Sequence, residues 1–248
     1  MIILPFYQFL TGFGEKYSPD YFFLTPDRTP VPIGIPVHSL SLHTPTGTVY
    51  GIYRKNGRDV IGRTVLSFPL PEFSSMFSLS GCHLLHTAVS PDNQKAAFLT
   101  AEKETGRTQV RMIVREEFGW FPLPSVRFDA APTGICFCSN DILLYSDPDR
   151  KLKAVRLKKP FKTAEISSQG YDPVAASDGR TFAFLKNGLI YYNDLSLEIK
   201  ADSLFSFSKN GQEVFFSSEN NLYGYNIETR QKRLIFGTGK PVVFATAL

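Results

Sequence analysis

The densest charge in the chain is a basic segment at residues 150–162. Its seven cationic residues are Arg150, Lys151, Lys153, Arg156, Lys158, Lys159 and Lys162. If the segment is a strand, its side chains alternate between two sides, and apolar residues are interleaved with basic ones on both. One interpretation is a solvated outer strand whose lysines oppose edge pairing. The alternative is a docking strip for an acidic partner. Nucleic acid ranks last, because no aromatic residues are interleaved for base stacking.

The single tryptophan, Trp120, lies in the segment 119–124, which reads Gly-Trp-Phe-Pro-Leu-Pro. Pro122 and Pro124 cannot donate ladder hydrogen bonds, so we predict an outer edge strand here. An exposed Trp120 beside Phe121 would then anchor a protein contact. The alternative, given equal weight, is that Trp120 packs between two sheets.

Two other groups of residues invite a chemical interpretation. Cys82, His83 and His86 have the types of metal ligands, but residues three apart in a strand point to opposite faces. Asp92 and Asp178 recur at matching turn positions, where a carboxylate is expected to cap its own turn through the local backbone. We therefore predict no catalytic residue, no metal site and no cofactor.

Composition limits the class of protein. The chain has 248 residues and a net charge of +4, from 27 basic and 23 acidic residues, which is too mild to indicate nucleic acid. Three cysteines, Cys82, Cys136 and Cys138, cannot form a disulfide framework, and this favours a reducing compartment. No apolar run approaches the ~20 residues of a membrane-spanning helix. We predict one domain over residues 1–248, cytoplasmic and without a membrane span, and leave its oligomeric state open.

A repeated pattern supplies the elements that position these residues. A strand, a polar turn and a second apolar strand recur at 88–99, 176–185 and 207–216, with weaker copies at 44–52 and 138–145. The turn anchors are Gly47, Asn93, Asn140, Gly179 and Gly211. The first and last anchors lie four repeats apart, so the mean spacing is 41 residues. A period of about 40 to 45 residues with several short strands is typical of propeller blades.

Each repeat divides into four predicted strands. The last clear copy gives strands at 203–208, 213–218, 221–227 and 231–236, and an earlier one gives 86–90, 95–101, 108–115 and 119–127. Hairpin turns are predicted at Asn56-Gly57, Asn187-Gly188, Asn210-Gly211 and Asp178-Gly179. The apolar segment 241–248 then lacks a partner, and we expect it to pair with segments 2–10, 21–25 and 31–35. Both ends would complete a sixth blade, so six blades are favoured over five or seven.

The turn sequences Ser90-Pro91-Asp92-Asn93 and Ser177-Asp178-Gly179 resemble the repeat of TolB-type β-propellers. The same repeat occurs in the propeller domains of prolyl oligopeptidases and dipeptidyl peptidases. The resemblance covers roughly residues 37–236 and implies an all-β propeller of four-stranded antiparallel blades, often a protein-binding scaffold. It carries over no catalytic residue, because the peptidase nucleophile lies in a separate hydrolase domain. This chain has no Gly-x-Ser-x-Gly elbow.

Three functional hypotheses follow. The first is a non-enzymatic scaffold for protein–protein interaction. Its candidate contacts are Trp120, Phe121, Lys151, Lys153, Arg156, Lys158 and Lys159. The second is an enzyme or small-ligand binder that uses the central channel, as propeller lactonases and glycosidases do, and it requires convergent carboxylates or histidines at the channel mouth. The third is an anion binder at the basic segment, which would show steep salt dependence.

Overall fold

The computed structural model describes residues 9–15, 18–25, 27–32, 37–43, 46–66, 72–79, 81–117, 119–123, 128, 130–158, 161–237 and 239–247. The named elements within these ranges are 24 β-strands. The first three strands are β1 (Phe9–Glu15), β2 (Ser18–Leu24) and β3 (Pro30–Pro32). Blade 1 consists of β4 (Val37–His43), β5 (Thr48–Lys55), β6 (Arg58–Val65) and β7 (Ser74–Leu79). Blade 2 consists of β8 (Cys82–Val89), β9 (Lys95–Glu102), β10 (Thr108–Glu116) and β11 (Gly119–Pro122).

The remaining blades repeat this arrangement. Blade 3 consists of β12 (Gly134–Ser139), β13 (Ile142–Ser146), β14 (Leu152–Arg156) and β15 (Thr163–Ser167). Blade 4 consists of β16 (Tyr171–Ala175), β17 (Phe182–Lys186), β18 (Leu189–Tyr192) and β19 (Leu195–Lys200). Blade 5 consists of β20 (Ser203–Phe207), β21 (Glu213–Ser218), β22 (Asn221–Asn226) and β23 (Gln231–Gly237). The last strand is β24 (Val242–Ala247).

In blades 1–5 each strand pairs antiparallel with the next strand in the chain. Asn56-Gly57 and Asn187-Gly188 form two-residue hairpin turns in which both residues have positive φ, between 50° and 73°. These two predicted turns are confirmed. Asn210-Gly211 lies instead in a five-residue turn between β20 and β21, where only the glycine has positive φ. The difference arises because the Asn210 side chain accepts a hydrogen bond from the Gln212 N–H, 3.2 Å away, and so supports a longer turn.

Both ends of the chain build a sixth sheet, which we call the closing blade. Its strand order is β24-β1-β2-β3, with β24 and β1 antiparallel. This confirms the prediction of six four-stranded blades closed by strands from both ends. The first amino-terminal strand runs from Phe9 to Glu15, and residues 2–8 of the predicted segment lie outside the described residues. Because β2 contacts β4, the closing blade meets blade 1.

The first strand of each of blades 1–5, together with β24, forms the inner wall of the ring. Contacts run in order from β4 to β8, β12, β16, β20 and β24. Each of these six strands carries one extra residue relative to its partner, which is a β-bulge. A bulge bends a strand and increases its twist. Bending of this kind suits strands that surround a narrow axis.

The hydrophobic core is divided into clusters between neighbouring blades. The clusters include Ile61 with Phe98, Leu99 with Phe137, Leu144 with Phe184, Leu185 with Phe216, and Phe215 with Ala245. Both faces of a blade are therefore apolar, as the sequence pattern predicts. Each blade buries its faces only against its neighbours. An incomplete ring would therefore expose apolar blade faces to water.

The closing strand supplies the first testable prediction. Ala245 is fully buried in β24, and its carbonyl accepts a 2.9 Å hydrogen bond from the Ser206 hydroxyl of blade 5. Ala245→Asp should therefore destabilise the protein by several kcal/mol, because it buries a carboxylate. Ala164→Asp, on the exposed outer strand β15, should change stability by about 0.5 kcal/mol or less. Deletion of residues 241–248 should give insoluble or strongly destabilised protein.

Thermal unfolding followed by circular dichroism measures all three variants. Equal melting temperatures for Ala245→Asp and Ala164→Asp, or an unaffected truncated protein, would show that the closing strand does not hold the ring.

Candidate functional site

The turns that join the first and second strands of blades 1–5 lie on one side of the ring, because every blade repeats the same strand order. They comprise residues 44–47, 90–94, 140–141, 176–181 and 208–212, and we call this side the turn face. Residues 44 and 45 lie outside the described residues. The third strand of each blade also ends on the turn face, since neighbouring strands are antiparallel.

Polar side chains stabilise the turns of blades 2, 4 and 5 through local hydrogen bonds. The Ser90 hydroxyl donates a 2.6 Å hydrogen bond to the Asp92 carboxylate and accepts one from the Lys95 N–H. Blade 5 repeats this network with Ser208 and Asn210. In blade 4, the carboxylate of Asp178 accepts hydrogen bonds from the backbone N–H groups of residues 180 and 181. The prediction that the turn acids cap their own turns is confirmed.

The same turns also bind one another across blades. The Tyr50 hydroxyl of blade 1 donates to the Asn93 side-chain oxygen of blade 2. The Asp92 N–H of blade 2 donates to the Asn140 side-chain oxygen of blade 3, at 3.0 Å. The Lys95 ammonium donates to the Asn140 carbonyl, at 2.9 Å. Two of the anchor residues identified by their spacing, Asn93 and Asn140, thus link blades 1, 2 and 3 on the turn face.

The structure divides the basic segment between the two faces of the propeller. Strand β14 is the third strand of blade 3 and pairs on both sides, so its lysines do not protect an edge. At its start, Lys153 is only 9% exposed and pairs with Asp147, with 3.2 Å between the ammonium and the carboxylate. The Lys151 N–H donates to the same carboxylate, at 2.9 Å. The expectation of a solvated Lys153 therefore differs from the structure, because Asp147 neutralises its charge inside the fold.

At the other end of β14, the basic side chains reach the turn face. The Lys158 ammonium lies 2.6 Å from one Asp141 carboxylate oxygen, and Lys95 lies 3.4 Å from the other. The hydrogen bond from Lys158 lowers the pKa of Asp141, with a further contribution from Lys95 against the effect of burial. Arg156 is exposed, and Lys159 lies outside the described residues. On the turn face, the exposed cations of the basic segment are therefore those at and just after the end of β14.

Exposed apolar side chains cluster on the same face. Among the residues whose burial the structure describes, the large ones are Val65, Phe121, Ile142, Phe161, Leu195 and Leu234. All except Leu234 lie at or near strand ends on the turn face. In blade 3, Ile142 is 37% exposed and Phe161 is 40% exposed.

The backbone of Arg156 lies next to the two segments that carry these apolar residues. Ile142 is its partner in the strand register, and the Arg156 N–H donates to the carbonyl of residue 162, next to Phe161, at 2.9 Å. We call Ile142, Arg156, Lys158, Phe161 and Lys162 the blade 3 patch. Sequence reasoning missed Ile142 because a buried and an exposed strand residue look alike. Phe161 could have been found from its lysine-rich surroundings.

The predicted aromatic contact lies on the outermost strand of blade 2, as its prolines indicate. Trp120 is half-buried and packs against the cluster between blades 1 and 2. Phe121 points to the other side of the strand and is 42% exposed. The described strand ends at Pro122, and residues 124–127 of the predicted strand lie outside the described residues. Of the two alternatives for Trp120, packing between blades is the one observed.

The cysteines of this protein are free thiols in the structure. Burial raises the pKa of the Cys136 and Cys138 thiols, with smaller contributions from Cys138 and Asp178 respectively. No group of three or more His, Cys, Asp or Glu side chains comes together in the described part of the chain. The side chain of His83 lies outside that part. The described residues also contain no helix long and apolar enough to cross a membrane.

Solved structures share this architecture. TolB from Acinetobacter baumannii is similar with a TM-score of 0.72 and 12% identity over 97% of this chain, which spans 66% of that TolB chain. A chain from the nidogen–laminin complex has a TM-score of 0.64 and 10% identity, covering 96% of this chain and 98% of its own length. Oligogalacturonate lyase in complex with manganese has a TM-score of 0.58 and 11% identity, covering 87% and 70%. No protein-family pattern and no curated protein matches the sequence. The chain has a TolB-like β-propeller fold, and identities this low show the fold alone.

The buried ion pair in blade 3 gives a second prediction. Lys153→Glu should destabilise the protein by about 3–5 kcal/mol, because it leaves Asp147 buried beside a like charge. Arg156→Glu, three residues later on the same strand, should change stability by about 0.5 kcal/mol or less. Urea unfolding at pH 7 separates these outcomes. Similar midpoints for the two variants would mean that Lys153 is solvated in solution.

The bond between blades 1 and 2 gives a third prediction. Tyr50→Phe should reduce stability by about 1–3 kcal/mol, because it leaves the buried Asn93 oxygen without its donor. Tyr53→Phe is the control, since no described residue hydrogen-bonds the Tyr53 hydroxyl. Burial raises the pKa of Tyr50 above 10, against opposing effects of Arg63 and Arg115. The protonated Tyr50 side chain therefore stabilises the folded protein fully below about pH 10. This contribution is lost as the pH rises through the higher pKa of the folded state.

Chemical unfolding between pH 8 and 11 tests both parts of this prediction. The original protein should lose stability more steeply above pH 10 than Tyr50→Phe does. Parallel curves for the two proteins would exclude Tyr50 as a contributor.

Proposed function

We propose that this protein is a non-enzymatic scaffold that binds a protein partner through its turn face, with the blade 3 patch as the contact. The observation that carries the proposal is that two exposed apolar side chains, Ile142 and Phe161, lie at the same end of blade 3 as the exposed cation Arg156. Apolar anchors within a charged rim are a common composition of protein interfaces. Exposed aromatic residues and arginine are enriched among the contacts that dominate binding.

The surrounding structure supports a rigid contact. Ile142 and Arg156 lie on adjacent strands of one sheet, and Lys158 is held by Asp141. The turn beside them is tied to blade 2 through Asn140. A surface that is ordered before binding loses less conformational entropy when the partner docks.

Charge points to an acidic partner. Arg156, Lys158 and Lys162 contribute three cations to the blade 3 patch, and the Asp141 carboxylate beside it already binds Lys158 and Lys95. The net charge of the blade 3 patch together with Asp141 is therefore positive. The nidogen–laminin neighbour belongs to a protein complex, which is the kind of use proposed for this fold. The free cysteines fit the cytoplasmic location predicted from composition.

A channel enzyme is the alternative function. The oligogalacturonate lyase neighbour is an enzyme with this fold. If the protein is a channel enzyme, substitutions in the blade 3 patch should leave its function unchanged. If it is a scaffold, the same substitutions should reduce partner binding. The experiment that follows separates the two.

The fourth prediction concerns partner binding. The double variant Ile142→Ser, Phe161→Ser, used as bait in lysate of the native cell, should recover its partner at least about tenfold less well than the original protein. The control is Leu195→Ser, which removes another exposed apolar side chain, 61% exposed, from blade 4. Raising salt should slow association with the original protein, because rim charges act mainly through the on-rate. Equal recovery by the double variant and the control would refute the blade 3 patch as the contact.

A further inference from the structure

Two arginines from different blades converge at the seam between blades 1 and 2. Arg63 in β6 lies directly opposite Tyr50 in β5, so the two side chains share one face of the sheet. That face is turned toward blade 2, because the Tyr50 hydroxyl donates a hydrogen bond to Asn93. Arg63 therefore projects toward blade 2 at the turn face.

Arg115 approaches from the opposite side. It follows Ile113 by two residues in β10, and Ile113 packs in the cluster between blades 1 and 2, so Arg115 faces blade 1. The Arg115 N–H donates to the carbonyl of Gln94, at 2.7 Å, which places it beside the Asn93 turn. The charges of Arg63 and Arg115 both act on the Tyr50 hydroxyl, in agreement with this placement.

The two guanidinium groups have no carboxylate partner within the described part of the chain. The ion pairs there involve Lys95, Lys153, Lys158 and Arg233. Glu116 and Glu117 follow Arg115 along the chain, are exposed, and pair with neither arginine. Two unneutralised cations held on opposite walls of one seam favour an oxyanion between them, because guanidinium groups bind carboxylate and phosphate oxygens in a fork geometry.

The seam also has an apolar wall. Trp120 is the register partner of Arg115, is half-buried, and packs on the cluster that includes Ile52 and Ile61. A ligand with both an anionic and an apolar group would use the arginines and the indole together. An acidic segment of a polypeptide has this composition, whereas a free inorganic anion would use the arginines alone.

We infer that the seam formed by Arg63, Arg115 and Trp120 binds a carboxylate side chain from an acidic segment of a partner protein. The inference rests on the proposed function for the assignment to a protein partner. It adds a second contact on the turn face, in blades 1 and 2, to the blade 3 patch. The carboxylate accepts hydrogen bonds from both guanidinium groups, and the neighbouring apolar residue of the segment packs on Trp120.

The single tryptophan reports on this site directly. The probe is a capped peptide with glutamates on both sides of a central phenylalanine, and its matched control has glutamines in place of the glutamates. The acidic peptide should shift the fluorescence of Trp120 saturably, and the glutamine peptide should not. Raising salt from 50 to 200 mM should weaken binding several-fold, since the site is near the surface.

Charge-matched variants test the residues. The double variant Arg63→Gln, Arg115→Gln should bind the acidic peptide about tenfold or more weakly, because it removes both charged donors. The double variant Arg180→Gln, Lys209→Gln removes the same charge from exposed turn-face positions in blades 4 and 5 and should bind as the original does. Equal binding of the two peptides, undiminished binding by the Arg63 and Arg115 variant, or insensitivity to salt would overturn the inference.

Two further results separate this inference from its alternatives. If inorganic phosphate alone reproduces the full fluorescence change and blocks the peptide, the seam is a small-anion site and the peptide assignment is wrong. The Ile142→Ser, Phe161→Ser variant should bind the peptide normally while losing the partner. If this variant loses the partner but the original protein does not bind the peptide, the seam is refuted and the blade 3 patch stands. If the original protein binds the peptide but the variant recovers the partner as well as the original does, the blade 3 patch is refuted and the seam stands.

Discussion

The pairing of β24 with β1 is the constraint on which the rest of the molecule depends. Each blade is a twisted four-stranded sheet with two apolar faces, and neither face can be buried except against another blade. A row of such sheets leaves two open apolar ends, and only closure removes them. A strand from each end of the chain lies in one sheet, and the backbone hydrogen bonds between these two strands close the ring. Every cluster between blades, and every surface built on the ring, requires that pairing.

Once the ring is closed, the turns gain a second role. The Ser90 and Asp92 side chains first satisfy the backbone of their own turn, which is a local effect. The Asp92 N–H then donates a hydrogen bond to Asn140 in the next blade. Asn93 accepts a hydrogen bond from the Tyr50 hydroxyl of the previous blade. Turns that would be mobile in an isolated hairpin are thus held from both sides. Exposed residues beside these turns are therefore held in place before a partner binds, so the turn face can act as a rigid binding surface.

The cations of this protein differ in function according to their burial. Lys153 is buried, is neutralised by Asp147, and contributes to folding. Lys158 bridges to Asp141 at the surface, where an ion pair is worth little but orients the side chain. Arg156, Arg63 and Arg115 have no described carboxylate partner and remain available to a ligand. A uniform basic strip would attract any anion, whereas this arrangement presents charge at particular points next to apolar side chains.

From the sequence alone one could predict the repeating strand order, the six blades, the terminal closure and two of the three Asn-Gly hairpins. These features follow from local rules: period-two alternation, positive-φ turn residues, and the requirement that an apolar strand find a partner. The sequence also placed β21 at 213–218, as observed. Which side chains are exposed depends on how the strands and blades pack, and the local sequence pattern does not show it. Lys153 and Arg156 look alike in the sequence, and only the position of Asp147 distinguishes them. Arg63 and Arg115 are 52 residues apart and meet because blades 1 and 2 pack face to face, a contact that no local pattern encodes.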